Sequence, residues 1–181
     1  MPQSKAITDF QLRCQKYYIC YSLASLGLRE HAKKLSSLKP DRTKSLIVGT
    51  GHPDEGNWHG SMNIGEMLDA SQHGGPFPDT IAKSFVSAIY SEWNELYRRL
   101  VANEAGVDQK SIKSDPMGDL RLIRHCIVHK KSVITDEPGR LRELAWEISP
   151  GFLSISEEMF CSLIGQINRM MVRVESHSAL P

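Results

Sequence analysis

The sequence predicts an all-α protein: a helical bundle of about four main helices, with a long irregular Gly/His-rich loop region after the first. Three observations predict it. Apolar residues recur at steps of three and four through four segments, the periodicity of a helix face packed on a core. Helix-start and helix-stop residues punctuate those segments at the right places. No stretch carries the sustained alternation of a half-buried sheet. At 181 residues the chain fits one domain, 1-181, long enough to bury a sizeable core.

The first helix carries a stripe of Ile7, Phe10, Cys14, Tyr17, Tyr21, Ala24, Leu28 and Leu35, and Pro40 is expected to end it. His31 falls where the stripe predicts an apolar residue, so it is expected at the core edge with its polar atoms satisfied. Residues 40-78 then lose the pattern: GTGHPDEGNWHG and SQHGGPFPD are rich in Gly, Pro, Asp and His, with SMNIGEMLDA a short helix between them. Asp79 is the expected N-cap of the second main helix, whose face is Ile81, Phe85, Ile89, Trp93, Leu96 and Leu100 and whose end is near Gly106. Ser114-Asp115-Pro116 starts the third. Glu137-Pro138-Gly139 breaks the chain, LRELAW is a short helix or turn, and FLSIS alternates like a brief extended stretch. Ser156, Glu157 and Glu158 cap the last helix, with a stripe of Phe160, Leu163, Ile164, Ile167, Met170, Met171 and Val174.

Composition narrows function less. With 40% hydrophobic and 24% charged residues the chain reads as an ordinary soluble protein, and a net charge of +1 names no partner. A nucleic-acid binder of this charge needs a local basic patch. No apolar run approaches the roughly 18 residues of a membrane span, and MPQSKAITDF lacks the hydrophobic core of a signal peptide. The four cysteines, Cys14, Cys20, Cys126 and Cys161, form no CxxC and no metal spacing. Their apolar settings predict buried thiols in a reducing cytosol, so the expected location is cytoplasmic.

The local patch lies in GDLRLIRHCIVHKK, residues 118 to 131. On a helical wheel with Leu120 at zero, Leu122, Cys126, Ile123 and Ile127 fall between about 200° and 340°. Arg124, Arg121, His125 and His129 fall between about 40° and 180°, with His125 and His129 stacked one turn apart. From Leu120 to Thr135 the chain has Arg121, Arg124, Lys130 and Lys131 and no Asp or Glu. Such a surface attracts a phosphate.

Arg124-His125-Cys126-Ile127-Val128-His129 resembles the Arg-polar-x3-His signature of the HEPN superfamily (higher eukaryotes and prokaryotes nucleotide-binding domain). GDLRLIRHCIVHK is similar to the GDLR-x-IRN-x-I-x-H segment of a bacterial HEPN group, and LRELAW…ISPGFLSISEEMF to that group's continuation. The similarity spans roughly residues 114 to 170. It implies a metal-independent RNA endonuclease without cofactor, cytoplasmic, acting at a composite site in a homodimer. Toxin–antitoxin and phage-defence proteins with a cognate antitoxin or inhibitor are typical of the family. Carried over residue by residue, Arg124 and His129 are the catalytic pair and His125 the polar auxiliary.

The chemistry suits those residue types. Cleavage without metal uses the 2′-hydroxyl as nucleophile and needs a base for it and an acid for the departing 5′-oxygen. Histidine, with an ordinary pKa of about 6.5, serves either role. Arginine holds a phosphate bidentately and stabilises its transition-state charge. One His129 cannot be base and acid at once, so a second copy or His125 supplies the other group. Arg121, Lys130 and Lys131 are the expected RNA-binding residues; Lys130 and Lys131 read equally as the charged end of the helix.

Rival readings are a non-catalytic HEPN nucleotide- or protein-binding module, and a metal site at His52, His59 and His73 beside Asp54 and Glu55. The latter spacing matches no common ligand pattern. GTGHPDEG lacks the Gly-Lys-Ser/Thr ending of a phosphate loop. Residues 49 to 75 are expected over or beside the active groove, with Trp58 or Phe77 either stacking on a base or buried.

Overall fold

The computed structural model describes residues 4–135 and 141–175. The protein is mostly α. The order is α1 (Lys5–Ser37), β1 (Ser45–Gly49), β2 (Trp58–Asn63), α2 (Ile64–Ala70), α3 (Pro76–Glu92), α4 (Arg98–Ala105), β3 (Ile112–Lys113), α5 (Asp115–His129), β4 (Val133–Ile134), β5 (Gly151–Phe152), α6 (Glu157–Arg169) and β6 (Arg173–Val174). Glu137-Pro138-Gly139 lies outside the described residues.

The stripe of α1 builds the core as periodicity requires. Phe10, Cys14 and Tyr21 are buried, and Phe10 meets Trp93 and Tyr97 with ring centroids 5.2 and 5.0 Å apart. Each fully buried apolar side chain of this size contributes roughly 1.5–3 kcal/mol. At the other flank of α1, Gln11 donates to the carbonyls of Ile167 and Asn168, at the end of α6, at 3.0 and 3.1 Å. His31 is exposed, not at the core edge; Ala32 takes the buried position instead.

Residues 40–78 are more ordered than composition suggests. β1 and β2 form an antiparallel hairpin, and α2 follows directly. This overturns the expectation of no sheet: three two-stranded antiparallel sheets occur among the described residues. The hairpin hides from a periodicity reading because both its faces are largely exposed. Leu46 and Met62, cross-strand partners, turn inward onto Ala32, Met67 and Leu68. Phe77 packs there too, whereas Trp58 is exposed on the hairpin.

Gly75, not Asp79, is the N-cap of α3. The chain passes so close to α2 that a Cβ at Gly75 would stand 2.5 Å from the Ala70 carbonyl oxygen. Asp79 is buried within the first turns, salt-bridged to Lys83 at 2.7 Å and accepting the Ile155 N–H at 2.7 Å. Between α3 and α4 one π-helical turn, Trp93–Tyr97, inserts an extra residue. The buried face therefore continues through Val101 and Ala102, and the expected Leu96 and Leu100 point to solvent. Gly106 closes α4 in the left-handed conformation, as expected.

LRELAW is not a helix. It lies against α5 because the buried Asp119 carboxylate accepts three consecutive backbone N–H groups, of Arg142, Glu143 and Leu144, at 2.8–3.0 Å. Leu144, Trp146, Leu153 and Ile155 then enter the core. Ser156 caps α6 by accepting the Met159 N–H. The last stripe ends at Met170; Met171 is 82% exposed and Val174 is in β6 because the helix stops at Arg169. Among the cysteines, Cys14 is buried and Cys126 half-buried, but Cys20 and Cys161 are exposed, each one position off its helix stripe. No helix among the described residues is long and apolar enough to cross a membrane.

Candidate active site on the outer face of α5

α5 begins where Ser114-Asp115-Pro116 predicts. Pro116 needs no helical N–H, and Asp115 in the first turn suits the helix dipole. Leu120 and Ile123 are buried, with Ile127 and Cys126 flanking the core. The seating is rotated from the wheel. Leu122, expected inside, is 42% exposed, while Arg124, expected outside, is half-buried.

The reason is α3. Tyr90 of α3 lies alongside α5, and the Arg124 guanidinium carbon sits 5.6 Å from its ring centroid, a cation–π contact. The Arg124 Nε is buried and has no hydrogen-bond partner among the described residues. An obligate cation is thus held against an aromatic ring with a donor unused. One residue further round, His125 and His129 are both exposed, their rings 5.0 Å apart and tilted by 39°. Arg121 is exposed one turn before Arg124 and lines a cavity of about 300 Å³ shared with Tyr90, Asn94 and Arg98. The structure therefore brings Arg121, Arg124, His125 and His129 to one helix face.

Lys130 and Lys131 are exposed just past the helix end. Lys131 and Ser132 both adopt left-handed backbone conformations, with φ of 51° and 61°. The turn is held by the Ser132 N–H on the Cys126 carbonyl at 3.0 Å and the Val133 N–H on the Lys130 carbonyl at 2.8 Å. Residues with a Cβ rarely take this conformation in succession. Burial pushes the neighbouring Cys126 thiol up, opposed more weakly by the positive charges of Lys130 and Lys83.

The loop histidines do separate work. His52 caps a short 3-10 turn in the hairpin, His59 lies 3.3 Å from the Thr50 hydroxyl, and His73 faces Glu157 and Glu158 at the start of α6. Of residues 49 to 75, Gly74 lines the cavity at the C-terminal end of α5, while the hairpin packs on α2 and the end of α1. The apolar stripe of residues 81–100 does not point to Tyr90, Asn94 and Arg98, which come from α3, the π-helical turn and the start of α4. Their signal is weak: a tyrosine and an asparagine beside the stripe. Comparison with family models, curated proteins and solved structures finds no match to this chain.

Proposed function

We propose that the chain is a HEPN-type, metal-independent RNA endonuclease, with Arg124, His125 and His129 as its catalytic residues. One observation carries the reading: an unpaired guanidinium, stacked on Tyr90, beside two imidazoles on a helix face without acids. The Arg124 guanidinium has no anionic partner among the described residues, and a phosphodiester supplies one to the terminal nitrogens that are not buried with Nε.

With the phosphate on Arg124, one imidazole takes the proton of the ribose 2′-hydroxyl as its oxygen bonds to phosphorus. The phosphorus–O5′ bond breaks and the other imidazole, protonated, gives its proton to O5′. The products are a 2′,3′-cyclic phosphate and a 5′-hydroxyl, with no electron gained or lost. Arg124 stabilises the added charge at phosphorus. Arg121, Lys130 and Lys131 attract the flanking phosphates.

A homodimer supplies a second His129. The exposed Leu122 and Val128, 42% and 48% accessible, bracket His125 and His129 and support burial of this face against another copy. The same apolar rim supports the alternative, a module that docks a protein partner without cutting RNA. A toxin or defence role follows from the resemblance alone.

The test is purified protein with single-stranded RNA in EDTA. Parent protein is expected to leave 2′,3′-cyclic phosphate ends, and His129→Ala to lose roughly 10²- to 10⁴-fold in rate. Cleavage by neither protein, or equally by both, rejects the assignment.

A further inference from the structure

We propose that the cavity between α3, the end of α5 and β5 is a base-binding subsite for single-stranded RNA, adjoining the phosphate position at Arg124. It rests on the ribonuclease reading but adds a part of the site the motif does not contain. The cavity is about 780 Å³, within the usual range for ligand sites. Its walls include Lys83, Ser84 and Ser87 of α3, Ile127 of α5, Ser132 and Phe152.

Phe152 is the decisive side chain. It belongs to a two-residue strand and is 68% exposed, although the core lies one residue away at Leu153. The Lys83 ammonium lies 4.1 Å from the Phe152 ring centroid. Lys83 is itself buried and fixed by Asp79, whose other oxygen is held by the Ile155 N–H. The ring is therefore braced on a buried ion pair, with most of its surface left to water. That is a stacking platform for a base, since every base offers a π-face.

The polar wall fits the same occupant. The Thr80 and Ser84 hydroxyls donate back to the helix carbonyls of Pro76 and Thr80, at 2.8 and 2.9 Å. Their lone pairs remain as fixed acceptors for the N–H edge of a base. Asp79 is the acidic residue lining the cavity, and Lys83 neutralises it, so a phosphate next door meets no net repulsion.

Both helices place this cavity next to Arg124. On α5, Ile127 follows Arg124 by less than one turn. On α3, Ser87 lines the cavity, and Tyr90, under the Arg124 guanidinium, comes one turn later. Tyr90 also lines the smaller cavity, which it shares with Asn94, Arg98 and Arg121. A strand laid over the cavity thus meets the Phe152 platform and, one turn along α3, the arginine over Tyr90.

The experiment uses the full chain carrying His129→Ala, so that substrate stays intact, with a fluorescein-labelled single-stranded RNA in EDTA. Phe152→Ala and Ser84→Trp, the second filling the cavity from an exposed position, are each expected to weaken binding about 5- to 150-fold. Their thermal unfolding should match the background. A strand bearing 4-thiouridine is expected to crosslink within residues 151–155. Unchanged affinity in both variants, no RNA binding at all, or crosslinks confined to other surfaces overturns the subsite. If the parent cuts RNA while both variants bind normally, the subsite falls and the nuclease reading stands. If nothing is cut but Phe152→Ala still loosens RNA, the nuclease reading falls and the subsite stands.

Discussion

Arg13 and Arg124 make the same first contact and then part. Each guanidinium lies over a tyrosine, Arg13 at 4.9 Å from Tyr17 and Arg124 at 5.6 Å from Tyr90. Arg13 goes on to a bidentate pair with Glu92, which also accepts from the Tyr17 hydroxyl. Burial pushes the Glu92 carboxyl up, but those hydrogen bonds outweigh it and hold it below the ordinary carboxylate range. Arg124 has a buried Nε and, among the described residues, no such carboxylate. A paired arginine ties α1 to α3; an unpaired one in the same chemical setting is a place kept for an anion.

The sharpest way to break that contrast is to remove each charge in turn. Arg124→Met keeps much of the volume, and its effect on cleavage is expected to be the largest, about 10²- to 10⁴-fold. Its thermal midpoint should hold or rise, because the substitution also deletes an unsatisfied buried donor. Glu92→Gln should do the reverse, lowering the midpoint with cleavage unchanged. The sign with pH follows from the lowered Glu92 value. Its stabilisation is present above the ordinary carboxylate pKa and is lost as pH falls through the folded value. The parent and Glu92→Gln melting curves should therefore converge in acid. A fall in midpoint with Arg124→Met, or a loss of cleavage with Glu92→Gln, would dissolve the distinction.

Asp119 extends the paired side of the comparison into α5 itself. It stands five residues before Arg124, in the GDLR segment that carries part of the family resemblance, yet its three acceptor contacts are structural. Asp119→Asn presents an amide to one or more of those N–H groups and is expected to cost about 2–4 kcal/mol of stability, read in urea titration. Cleavage per folded molecule should stay near the parent's. A normal unfolding curve combined with lost activity would move Asp119 into the reactive group.

These residues also mark how far the sequence can be read. Periodicity places α1, α3, α5 and α6 because each buries one stripe, and it finds Arg124, His125 and His129 on one helix. It misses the hairpin because only Leu46 and Met62 of its paired positions turn inward, too few to alternate. It misplaces Leu96 and Leu100 because a π-turn shifts the face by one residue, which no composition signals. A wheel gives the angle of Arg124 but not its neighbour; Tyr90, 34 positions earlier, decides that it is half-buried. The same holds for Asp119, whose partners lie more than 20 residues downstream. Local pattern names side chains, while burial and pairing depend on what folds against them.

The smallest expected effect tests whether backbone cost belongs to the unpaired side. Lys131, two residues past His129, holds a left-handed conformation that favours glycine. Retaining lysine there has an energetic cost, so the ammonium should have a use, and the acid-free face offers phosphate contact as that use. Lys131→Gly is expected to stabilise the fold by up to about 1 kcal/mol while weakening RNA binding. The loss should also flatten the salt dependence, with the slope of log affinity against log salt falling by about 0.7 for one single-strand phosphate contact. A stabilised variant that keeps the parent's affinity and salt slope would make Lys131 merely the charged end of α5, and the strain behind it would have no functional counterpart.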